Sequence, residues 1–486
     1  MTEAKLRVMK FGGTSVGDAE CIGHAAEIVA SAARESSVVV VVSAMGGVTT
    51  RLIEAAHASE AGDERAAIEL AEALRAQHRS AIESLVSGAD ARVRLAVETE
   101  KILEELTSLC RGTALLRELT PRALDTISSV GERLSARIMA GALQELGIKS
   151  TAVEATELIV TDSEHGRAEP LINETRALSQ ARLLPLIEDS VVPVVTGFIG
   201  ATAGGTLTTL GRGGSDYSAT ILGTALDAEE VIIWTDVDGV LTADPRLVAE
   251  ARTLGEISYN EAAELAYFGA KVLHPKTLRP VVEAGIPVWI RNSFQPEKQG
   301  TKITATGHPT ARGVKAITAI KDVSLITVGG RGIVGKVGVA AKTFTAVAEA
   351  RANVLLISQS SSENDICFIV SSADVPCTVE KLRQAFAADL AHHQVERINV
   401  MPEIVIVAVV GERMHGLPGI AGRTFSALGK RGINIIAIAQ GSSEYNVSFV
   451  VEAHMMRDAV LAVHKEFGLE RRASRFESPE KEAALR

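Results

Sequence analysis

An internal repeat in the last third of the chain constrains the fold more than any other feature. Residues 335–370 align without gaps on residues 416–451, and 14 of the 36 aligned positions are identical. Each copy follows the order strand, glycine-rich turn, helix, strand, strand and helix, which predicts a ferredoxin-like βαββαβ unit. The chain is therefore expected to contain two copies of one small domain.

The two copies do not have the same set of strands. Residues 394–401 predict a fourth strand for the first copy, whereas residues 469–486, after the second copy, are highly charged and predict a disordered tail. A spare strand is predicted at 313–320, before the first copy. We expect it to complete the second copy, so that one unit (322–401) is inserted into the other (313–321 plus 402–468).

The first 300 residues predict a different, α/β architecture. Apolar strand-like runs at 38–43, 191–196, 231–234 and 288–291 alternate with helical stretches. This alternation indicates an open, mostly parallel sheet covered by helices on both faces. Within it, residues of about 50–119 are rich in Ala, Glu and Arg and predict an antiparallel helical insertion. A catalytic domain is expected over residues 1–300.

Composition and charge exclude several function classes. A chain of 486 residues is too long for one compact core and predicts two to four domains. Its formal net charge of −10 gives no reason to expect a nucleic-acid partner. The N-terminus lacks the apolar core of a signal peptide, the apolar run 38–42 is too short to cross a bilayer, and the four cysteines lack metal-site spacing. A cytoplasmic protein without membrane contact is expected.

A glycine-rich segment, residues 209–220, predicts a binding site for a small anion. It follows an apolar run, 191–199, that predicts one buried strand, and it leads into a helix. Its three glycines allow a close backbone approach, and Arg212 offers a planar fork for a carboxylate or phosphate. Ser215 and Asp216 lie at the predicted helix start, where unpaired N–H groups favour anions. The alternative is a glycine-rich turn with Ser215 or Asp216 as helix N-cap.

Two further segments combine a strand with a turn suited to a phosphorylated ligand. Near the N-terminus a strand leads into Lys10 and the pair Gly12 and Gly13, a geometry that suits phosphates, although no P-loop sequence is present. A strand at 230–233 is followed by several acids, beginning with Asp236, which suit a ribose hydroxyl or Mg²⁺. These acids could also belong to ordinary turns. The combination of three such segments is more specific than any one of them.

In their sequence and order, these segments resemble the aspartate kinases of the amino-acid kinase superfamily. The match runs from about residue 9 to about residue 451. Sister kinases that act on carbamate, acetylglutamate or uridylate share the general fold, but the motifs at 10–14 and 211–216 favour aspartate. The segments that carry the resemblance are Lys10-Phe-Gly-Gly-Thr-Ser-Val16, Ser129-Val-Gly-Glu-Arg133, Gly211-Arg-Gly-Gly-Ser-Asp216, Trp234-Thr-Asp236 and Phe268-Gly-Ala-Lys-Val-Leu-His-Pro275.

The resemblance implies a fold and an activity. The first 300 residues would form a carbamate-kinase-like open sheet, and the repeats would be ACT domains. The implied reaction transfers the γ-phosphate of ATP to the β-carboxylate of L-aspartate and gives 4-phospho-L-aspartate, the first step towards lysine, threonine and methionine. A carboxylate nucleophile, with a reference pKa of about 3.9, is ionised at neutral pH and needs no general base. Catalysis is then mostly positioning and charge neutralisation.

The resemblance also assigns a nucleotide-binding set. Lys10 is expected to neutralise the phosphates, helped by the N–H groups of Gly12 and Gly13, and Lys271 to contact them from the opposite side. Asp216 would organise Lys10 or Mg²⁺-bound water, with Mg²⁺ held mainly by the nucleotide phosphates and no metal site on the protein. For Lys271 the alternative is an exposed lysine on a helix. The full set is Lys10, Phe11, Gly12, Gly13, Thr235, Asp236, Leu241, Arg246, Lys271 and Val272.

For aspartate, Arg212 is expected to pair with a substrate carboxylate and Glu132 with the α-ammonium. The alternative for Glu132 is a solvated charge on a helix. The position of His274, just before a proline, favours a structural role for this residue over a catalytic one. The catalytic residues would be Lys10, Arg212 and Asp216. The aspartate-binding set is Ser43, Thr49, Glu132, Arg212, Gly213, Gly214 and Ser215.

ACT domains often bind free amino acids, so the resemblance implies feedback regulation. Lysine-sensitive relatives carry an Asp on the strand before the Ser-rich turn, where this chain has Leu355. A lysine ammonium taken out of water needs such a partner, so threonine is favoured over lysine as the effector. A homodimer or larger oligomer through the ACT domains is expected. The effector-binding set is Val334, Gly335, Val354, Leu355, Gln359 and Ser361.

Several alternatives stay open at this point. The chain could be a related kinase that acts on another small carboxylate, or a catalytically inactive amino-acid sensor built on the ACT pair. The ACT pair could also serve dimerisation alone. Because the chain stops just after the second repeat, we expect a monofunctional kinase without a dehydrogenase domain.

Overall fold

The structure is a computed structural model of the chain. It describes residues 5–269, 273–308, 313–359, 364–412, 414, 417–440 and 445–470. The chain forms two compact units. The first comprises Met1–Val240, Thr253–Ala263 and Val272–Gly307, and the second comprises Leu241–Arg252, Glu264–Lys271 and His308–Arg486. Within the described ranges, no helix combines the length and the apolar character that a membrane span requires.

The first unit is built on an eight-stranded sheet. Its strands are β1 (Leu6–Phe11), β2 (Ser37–Val42), β3 (Ser150–Val153), β5 (Val192–Thr196), β8 (Glu230–Thr235), β9 (Glu256–Ser258), β10 (Val288–Asn292) and β11 (Thr301–Thr304). Their order is β3-β5-β2-β1-β8-β10-β11-β9, and every neighbouring pair is parallel except β10 and β11. A small second sheet contains β4 (Val160–Thr161), β6 (Ile199–Thr202) and β7 (Leu207–Thr209).

The central strands are apolar because both of their faces are covered. Every residue of Val38–Val42 is buried, although successive side chains point to opposite faces of a sheet.

The helices of this unit are α1 (Ala19–Ala33), α2 (Val48–Glu60), α3 (Glu64–Leu85), α4 (Ala89–Leu116), α5 (Pro121–Ser128), α6 (Val130–Glu145), α7 (Ile172–Glu188), α8 (Gly214–Ala225) and α10 (Pro275–Ala284); α9 (Tyr259–Tyr267) runs from this unit into the second. The predicted α/β class is confirmed.

Residues 50–119, expected as a helical insertion, lie in three long helices, α2, α3 and α4. Side-chain caps mark two helix starts in this region: Asp63 accepts the N–H of Ala66, and Thr120 accepts the N–H of Ala123. Leu74 of α3 and Leu106 of α4 are fully buried in the same core cluster as the strand residues of β2. These helices therefore share the core of the catalytic unit.

The prediction of one buried strand over 191–199 was wrong. The chain forms β5, turns at Gly197 and Phe198, and then enters the β6–β7 hairpin of the small sheet. Gly197 requires the absence of a side chain, since a Cβ there would lie 2.7 Å from Cβ of Ser215 and 2.9 Å from the carbonyl oxygen of Val42. Phe198 has a positive φ of 70°. The glycine-rich segment consequently follows β7 and not the central sheet.

The second unit contains a six-stranded sheet. Its strands are β12 (Val314–Gly329), β13 (Leu356–Gln359), β14 (Asp365–Ser371), β15 (Arg397–Gly411), β16 (Ala437–Ala439) and β17 (Asn446–Glu452), and its helices are α11 (Val339–Glu349), α12 (Val375–Ala385), α13 (Ala387–Ala391), α14 (Ile420–Gly429) and α15 (Met456–Glu466). The strand order is β13-β14-β12-β15-β17-β16, with antiparallel pairing throughout.

Two long strands are shared by the repeated units. The first half of β12, including 316–320, pairs with 406–410 of β15, while its second half pairs with β14 and with 397–401 of β15. The spare strand at 313–320 thus lies beside the sheet of the second copy. Both strands bend at matching positions with positive φ, 57° at Asp322 and 55° at Glu403. The two ferredoxin-like units are confirmed.

Candidate active site

The candidate site lies at the carboxyl edge of the parallel sheet in the first unit. β1 lies between β2 and β8, and the three strands are parallel, so their carboxyl ends meet at one edge. The next strand along the chain, β2, pairs with one side of β1, and β8, much later in the chain, pairs with its other side. Such a reversal of strand order opens a crevice that commonly holds a ligand.

Lys10, near the end of β1, forms the charged centre of this edge. Its side chain is only 7% exposed, and its Nζ lies 2.5 Å from Oδ1 of Asp216 in the first turn of α8. α8 has Gly213 as N-cap, with a φ of 72° and no side-chain cap. Within the described residues, the N–H groups of Ser215 and Asp216 have no protein acceptor. An anion at this position would meet both the lysine and the positive end of the helix.

The glycine pair after β1 only partly matches its expected role. The N–H of Gly12 donates to the carbonyl of Trp234 at 3.2 Å and so joins the ends of β1 and β8. In the structure the N–H of Gly12 therefore has a protein acceptor, whereas the N–H of Gly13 has none in the described part of the chain, so the phosphate-binding role of the pair stays a prediction. A Cβ on Gly12 would lie 3.2 Å from Nζ of Lys10, so this glycine leaves the path of the lysine side chain open.

Glu132, the third residue of α6, is buried. It is 3% exposed, and its Oε2 has no hydrogen-bonding partner among the described residues. Burial raises the pKa of its carboxyl to about 8, while the N–H groups of Ala44 and of Glu132 itself, and the charge of Lys10, act in the lowering direction. The alternative of a solvated helix charge is therefore wrong. An incoming cation could satisfy the unpaired oxygen.

The turn after β2, which carries Ser43 and leads to Thr49, packs against the start of α6. The N–H of Ser43 donates to the carbonyl of Phe11 at 3.1 Å, and Thr49 lies in the first turn of α2. Gly131 allows the close contact of α6 with this turn, since a Cβ there would lie 2.6 Å from Cβ of Ala44. The segment that carries Ser43 and Thr49 thus contacts the helix start that carries Glu132.

Arg212 lies in the loop between β7 and α8 and is exposed. This guanidinium has no acid partner within the described ranges, so it remains available to a substrate carboxylate. His274 packs against the same loop. A Cβ on Gly213 would lie 3.0 Å from Cβ of His274. Its Nδ1 accepts the N–H of Lys276 at 3.3 Å and caps α10, and its pKa is lowered by burial and by the charges of Arg212 and Lys276. His274 has the structural role favoured by the sequence.

The end of β8 forms the other side of the crevice. The carbonyl of Thr235 accepts the N–H of Ser293 at 2.9 Å, and Ser293 Oγ also donates to Oγ of Ser15 at 2.8 Å. This link was missed by the sequence analysis, because residues 278 positions apart give no local signal. The hydroxyl of Thr235 donates to the exposed Asp236 at 3.2 Å. Thr235 therefore ends β8 and Asp236 follows it, next to the turn that ends β1.

The remaining members of the predicted nucleotide-binding set belong to the core of the first unit, to the second unit or to the part of the chain that is not described. Phe11 is fully buried and stacks on Trp234 with ring centroids 6.0 Å apart, so its ring belongs to the core. Leu241 and Arg246 fall in the second unit, where Arg246 forms an ion pair with Asp244 at 2.7 Å. Lys271 and Val272 lie outside the described residues.

The predicted effector residues all belong to the second unit. Val334 and Gly335 are exposed ahead of α11, whose N-cap, Gly338, has a φ of 93° and no side-chain cap. Leu355, like the neighbouring Val354, is half-buried just before β13, and Gln359 ends that strand. Ser361 lies outside the described residues.

Two family models match the chain. The model of the amino acid kinase family matches residues 5–292, and the model of the ACT domain matches residues 326–386 and 407–467. The first match contains all the motifs at the sheet edge. The second is found twice, at the positions of the repeated units.

The similar proteins and the similar solved structures are named as aspartokinases. The chain is 37% identical to the chloroplastic bifunctional aspartokinase/homoserine dehydrogenase 1 of Arabidopsis thaliana, over 96% of this chain and 51% of that protein. It is 35% identical to chloroplastic aspartokinase 1 of the same plant, over 95% of this chain and 80% of that protein. The chain spans about half the length of the bifunctional relatives it matches.

Structures of Escherichia coli aspartokinase III resemble this one with a TM-score of 0.78 and 32% identity, covering 95% of this chain and 99% of that chain. One was solved in complex with aspartate and ADP (R-state), and another in complex with lysine and aspartate (T-state). At this level of identity, the likeness covers the sequence as well as the fold.

Proposed function

This chain belongs to the aspartokinases of the amino acid kinase family, and we propose that it transfers the γ-phosphoryl group of ATP to the β-carboxylate of L-aspartate. The observation that carries the proposal is Glu132, a buried carboxylate with an unpartnered oxygen close enough to Lys10 for their charges to interact. Such a group suits the α-ammonium of an amino acid, because a buried carboxylate without a partner is costly and an incoming cation supplies that partner. The complex of the E. coli relative with aspartate and ADP supports the same choice.

The proposed reaction needs no proton transfer from the nucleophile. An oxygen of the β-carboxylate attacks the γ-phosphorus, the bond from that phosphorus to the β,γ-bridging oxygen breaks, and ADP leaves with the negative charge. The difficulty is the approach of one anion to another, so positioning and charge neutralisation dominate. Lys10 supplies the cation at the centre, and Asp216 holds its amine in place at 2.5 Å. The open N–H groups at the start of α8 add partial positive charge.

Arg212 and Glu132 are proposed to recognise the two ends of aspartate. Arg212 is exposed in the loop before α8 and can form a bidentate pair with a carboxylate. Glu132 would bind the α-ammonium from the side of α6, with Ser43 and Thr49 adding hydroxyl contacts and Ser215 a third. A substrate without an ammonium would leave Glu132 without its partner.

ATP is proposed to lie along the ends of β1 and β8. The uncapped start of α8 and the free N–H of Gly13 suit its phosphates, and Thr235 and Asp236 suit the ribose or the adenine. Mg²⁺ bound to the phosphates would neutralise part of their charge. Within the described residues there is no group of three or more His, Cys, Asp or Glu side chains able to hold a metal ion, so we propose that the nucleotide itself carries it.

The proposal is tested by measuring ADP formation in a coupled assay with a panel of small carboxylates. Aspartate should support turnover, whereas succinate, which lacks the ammonium, should support little. Turnover with another acid in preference to aspartate would identify a related kinase. Absence of turnover with every acid, in a folded protein that binds amino acids, would identify a sensor instead.

We also propose that the ACT pair binds an end-product amino acid, with threonine favoured over lysine. Leu355 lies half-buried before β13 and cannot pair with a lysine ammonium. Threonine needs partners only for its α-groups and one hydroxyl: N–H groups near Gly335 could donate to the α-carboxylate, and the side-chain carbonyl of Gln359 could accept from the α-ammonium or the hydroxyl. The lysine complex of the E. coli relative makes lysine the rival candidate.

Separate titrations of threonine and lysine against the kinase rate test this choice. Inhibition by threonine is expected, and the variant Leu355→Asp should gain sensitivity to lysine. Inhibition of the unaltered protein by lysine alone would contradict the pocket argument. Indifference to both would leave dimerisation as the role of the ACT pair.

Association through the edge strands of the ACT pair is also proposed. Ile357 on β13 and Ile438 on β16 occupy equivalent repeat positions, lie on the two edge strands, and are 52% and 44% exposed. Exposed apolar edge strands commonly pair with another copy. Sedimentation of the unaltered protein should show a dimer or larger species, and the double variant Ile357→Glu with Ile438→Glu should shift it towards the monomer.

A further inference from the structure

Asp125, in α5, is a buried carboxylate outside the motifs that carry the family resemblance. It is 2% exposed and accepts four hydrogen bonds from two other segments of the first unit. His165 Nδ1 lies 2.7 Å from its Oδ2, and the N–H groups of Gly166 and Thr209 each lie 3.2 Å from the same oxygen. The hydroxyl of Thr209 donates to Oδ1 at 2.6 Å. Three of these contacts converge on Oδ2 and one is made to Oδ1, so both oxygens of the carboxylate are held by the protein.

The partners of Asp125 connect the two sides of the candidate aspartate site. On one side, the carbonyl of Asp125 accepts the N–H of Ser129, which leads directly into α6 and Glu132. On the other side, Thr209 ends β7, three residues before Arg212. The carboxylate of Asp125 thus ties α5, whose backbone leads into the helix that carries Glu132, to the strand end before the loop that carries Arg212.

The segment around residue 166 leaves little freedom to that loop. The N–H of Ala168 donates to the carbonyl of Thr209 at 2.9 Å. Gly211 has a φ of 79°, and a Cβ there would lie 2.9 Å from the carbonyl oxygen of Gly166. The loop before Arg212 is therefore packed against this segment, and Asp125 bonds to both of them.

We propose that Asp125 is a positioning residue that sets the separation between Glu132 and Arg212 and thereby the selectivity for aspartate. This inference rests on the proposed function, in which those two residues bind opposite ends of the substrate. Asp125 itself touches neither substrate. Hydrogen bonds to a buried charged group are stronger than neutral ones, and loss of one leaves an unsatisfied group, so a change here moves the loop and not the carboxylate alone.

A matched set of substitutions on β7 tests the proposal. Thr209→Val removes the 2.6 Å hydrogen bond to Asp125 with little change of shape, and Thr209→Ser keeps it. Thr208→Val is the control, because Thr208 is also fully buried and its hydroxyl bonds Thr161 at 2.6 Å instead of Asp125. Asp125→Asn is the stronger change, and its folding is checked by thermal unfolding.

The readouts are the Michaelis constants for aspartate and ATP and the ratio of kcat/KM for aspartate over glutamate, which is longer by one methylene. Thr209→Val should raise the aspartate KM about tenfold and reduce the ratio, with the ATP constant within about twofold. Thr209→Ser and Thr208→Val should resemble the unaltered protein.

Any of the following outcomes would overturn the proposal. If Thr209→Val and Thr208→Val gave the same kinetics, or if aspartate and ATP constants rose together, the network would be structural only. If the unaltered protein showed no aspartate-dependent turnover, the proposed function would fail and this inference with it. An active unaltered protein with unaffected variants would contradict the positioning role alone. The Thr209 pair keeps the test decisive even if Asp125→Asn does not fold.

Discussion

The two halves of the candidate site are built in different ways. The phosphate half rests on short local segments, the strand end with Lys10 and its glycine turn and the start of α8 with Asp216. The aspartate half rests on Glu132, whose burial and raised pKa arise from the packing of α6 against the turn after β2. The first half depends on local backbone geometry and the second on tertiary packing, so they should respond differently to substitution.

The largest effect is expected from Lys10. Lys10→Ala removes the cation that faces the developing charge, and aspartate-dependent turnover should fall about 100-fold or more. Steady-state measurement of ADP release gives the value. Near-normal turnover in a folded variant would remove Lys10 from the mechanism and the phosphate half from its proposed role.

The control for this substitution addresses the partner of Lys10. Removal of the amine leaves Asp216 as a largely buried charge without its 2.5 Å partner, which destabilises the fold independently of catalysis. The double variant Lys10→Met with Asp216→Asn removes both charges. It should unfold close to the temperature of the unaltered protein and still lack activity.

The next effect separates the two halves. Glu132→Ala should raise the KM for aspartate about tenfold to hundredfold, the amount associated with loss of a charged hydrogen bond, while the KM for ATP changes little. Arg212→Ala should show the same split. Equal increases in both constants would indicate that these residues are structural and that the distinction between the halves is wrong.

A pH dependence should appear in the aspartate half alone. Because burial raises the pKa of Glu132 to about 8, the carboxyl is mostly protonated at neutral pH and must ionise to bind an ammonium. The KM for aspartate should therefore fall roughly tenfold between about pH 7 and about pH 8.5, and then level off. Glu132→Gln should abolish this dependence, and the KM for ATP should not follow it.

The same group affects stability with a defined sign. Its pKa rises from 4.5 to about 8 on folding, so the folded protein holds a proton that the unfolded chain releases. The contribution of Glu132 to the free energy of unfolding is therefore greatest below pH 4.5 and is lost as the pH rises through about 8. The free energy of unfolding, measured with urea at several pH values across this range, should fall more steeply with pH for the unaltered protein than for Glu132→Gln. Parallel curves would show that Glu132 is already ionised in the folded protein.

The contrast between the halves also explains what could be predicted from the sequence. Lys10, Asp216 and the repeated units were predictable because their signals lie within a few residues: a strand, a glycine turn, a helix start, or a repeated pattern. The burial of Glu132 was not, since it depends on Gly131 packing against the turn after β2. The β6–β7 hairpin was missed because the apolar run 191–199 continues through Gly197, whose close contacts with Ser215 and the carbonyl of Val42 come from segments distant in sequence.

The smallest effect concerns the hydroxyl groups of the aspartate half. Thr49 is half-buried in the first turn of α2, on the side of Glu132, and a neutral hydrogen bond to substrate contributes about 0.5–1.5 kcal/mol. Thr49→Ala should thus raise the aspartate KM only about two- to tenfold. Thr49→Ser keeps the hydroxyl and should restore most of the affinity, which separates the hydrogen bond from the lost methyl group. If Thr49→Ala raised the KM for ATP instead, the turn after β2 would belong to the phosphate half. The aspartate half would then begin at α6.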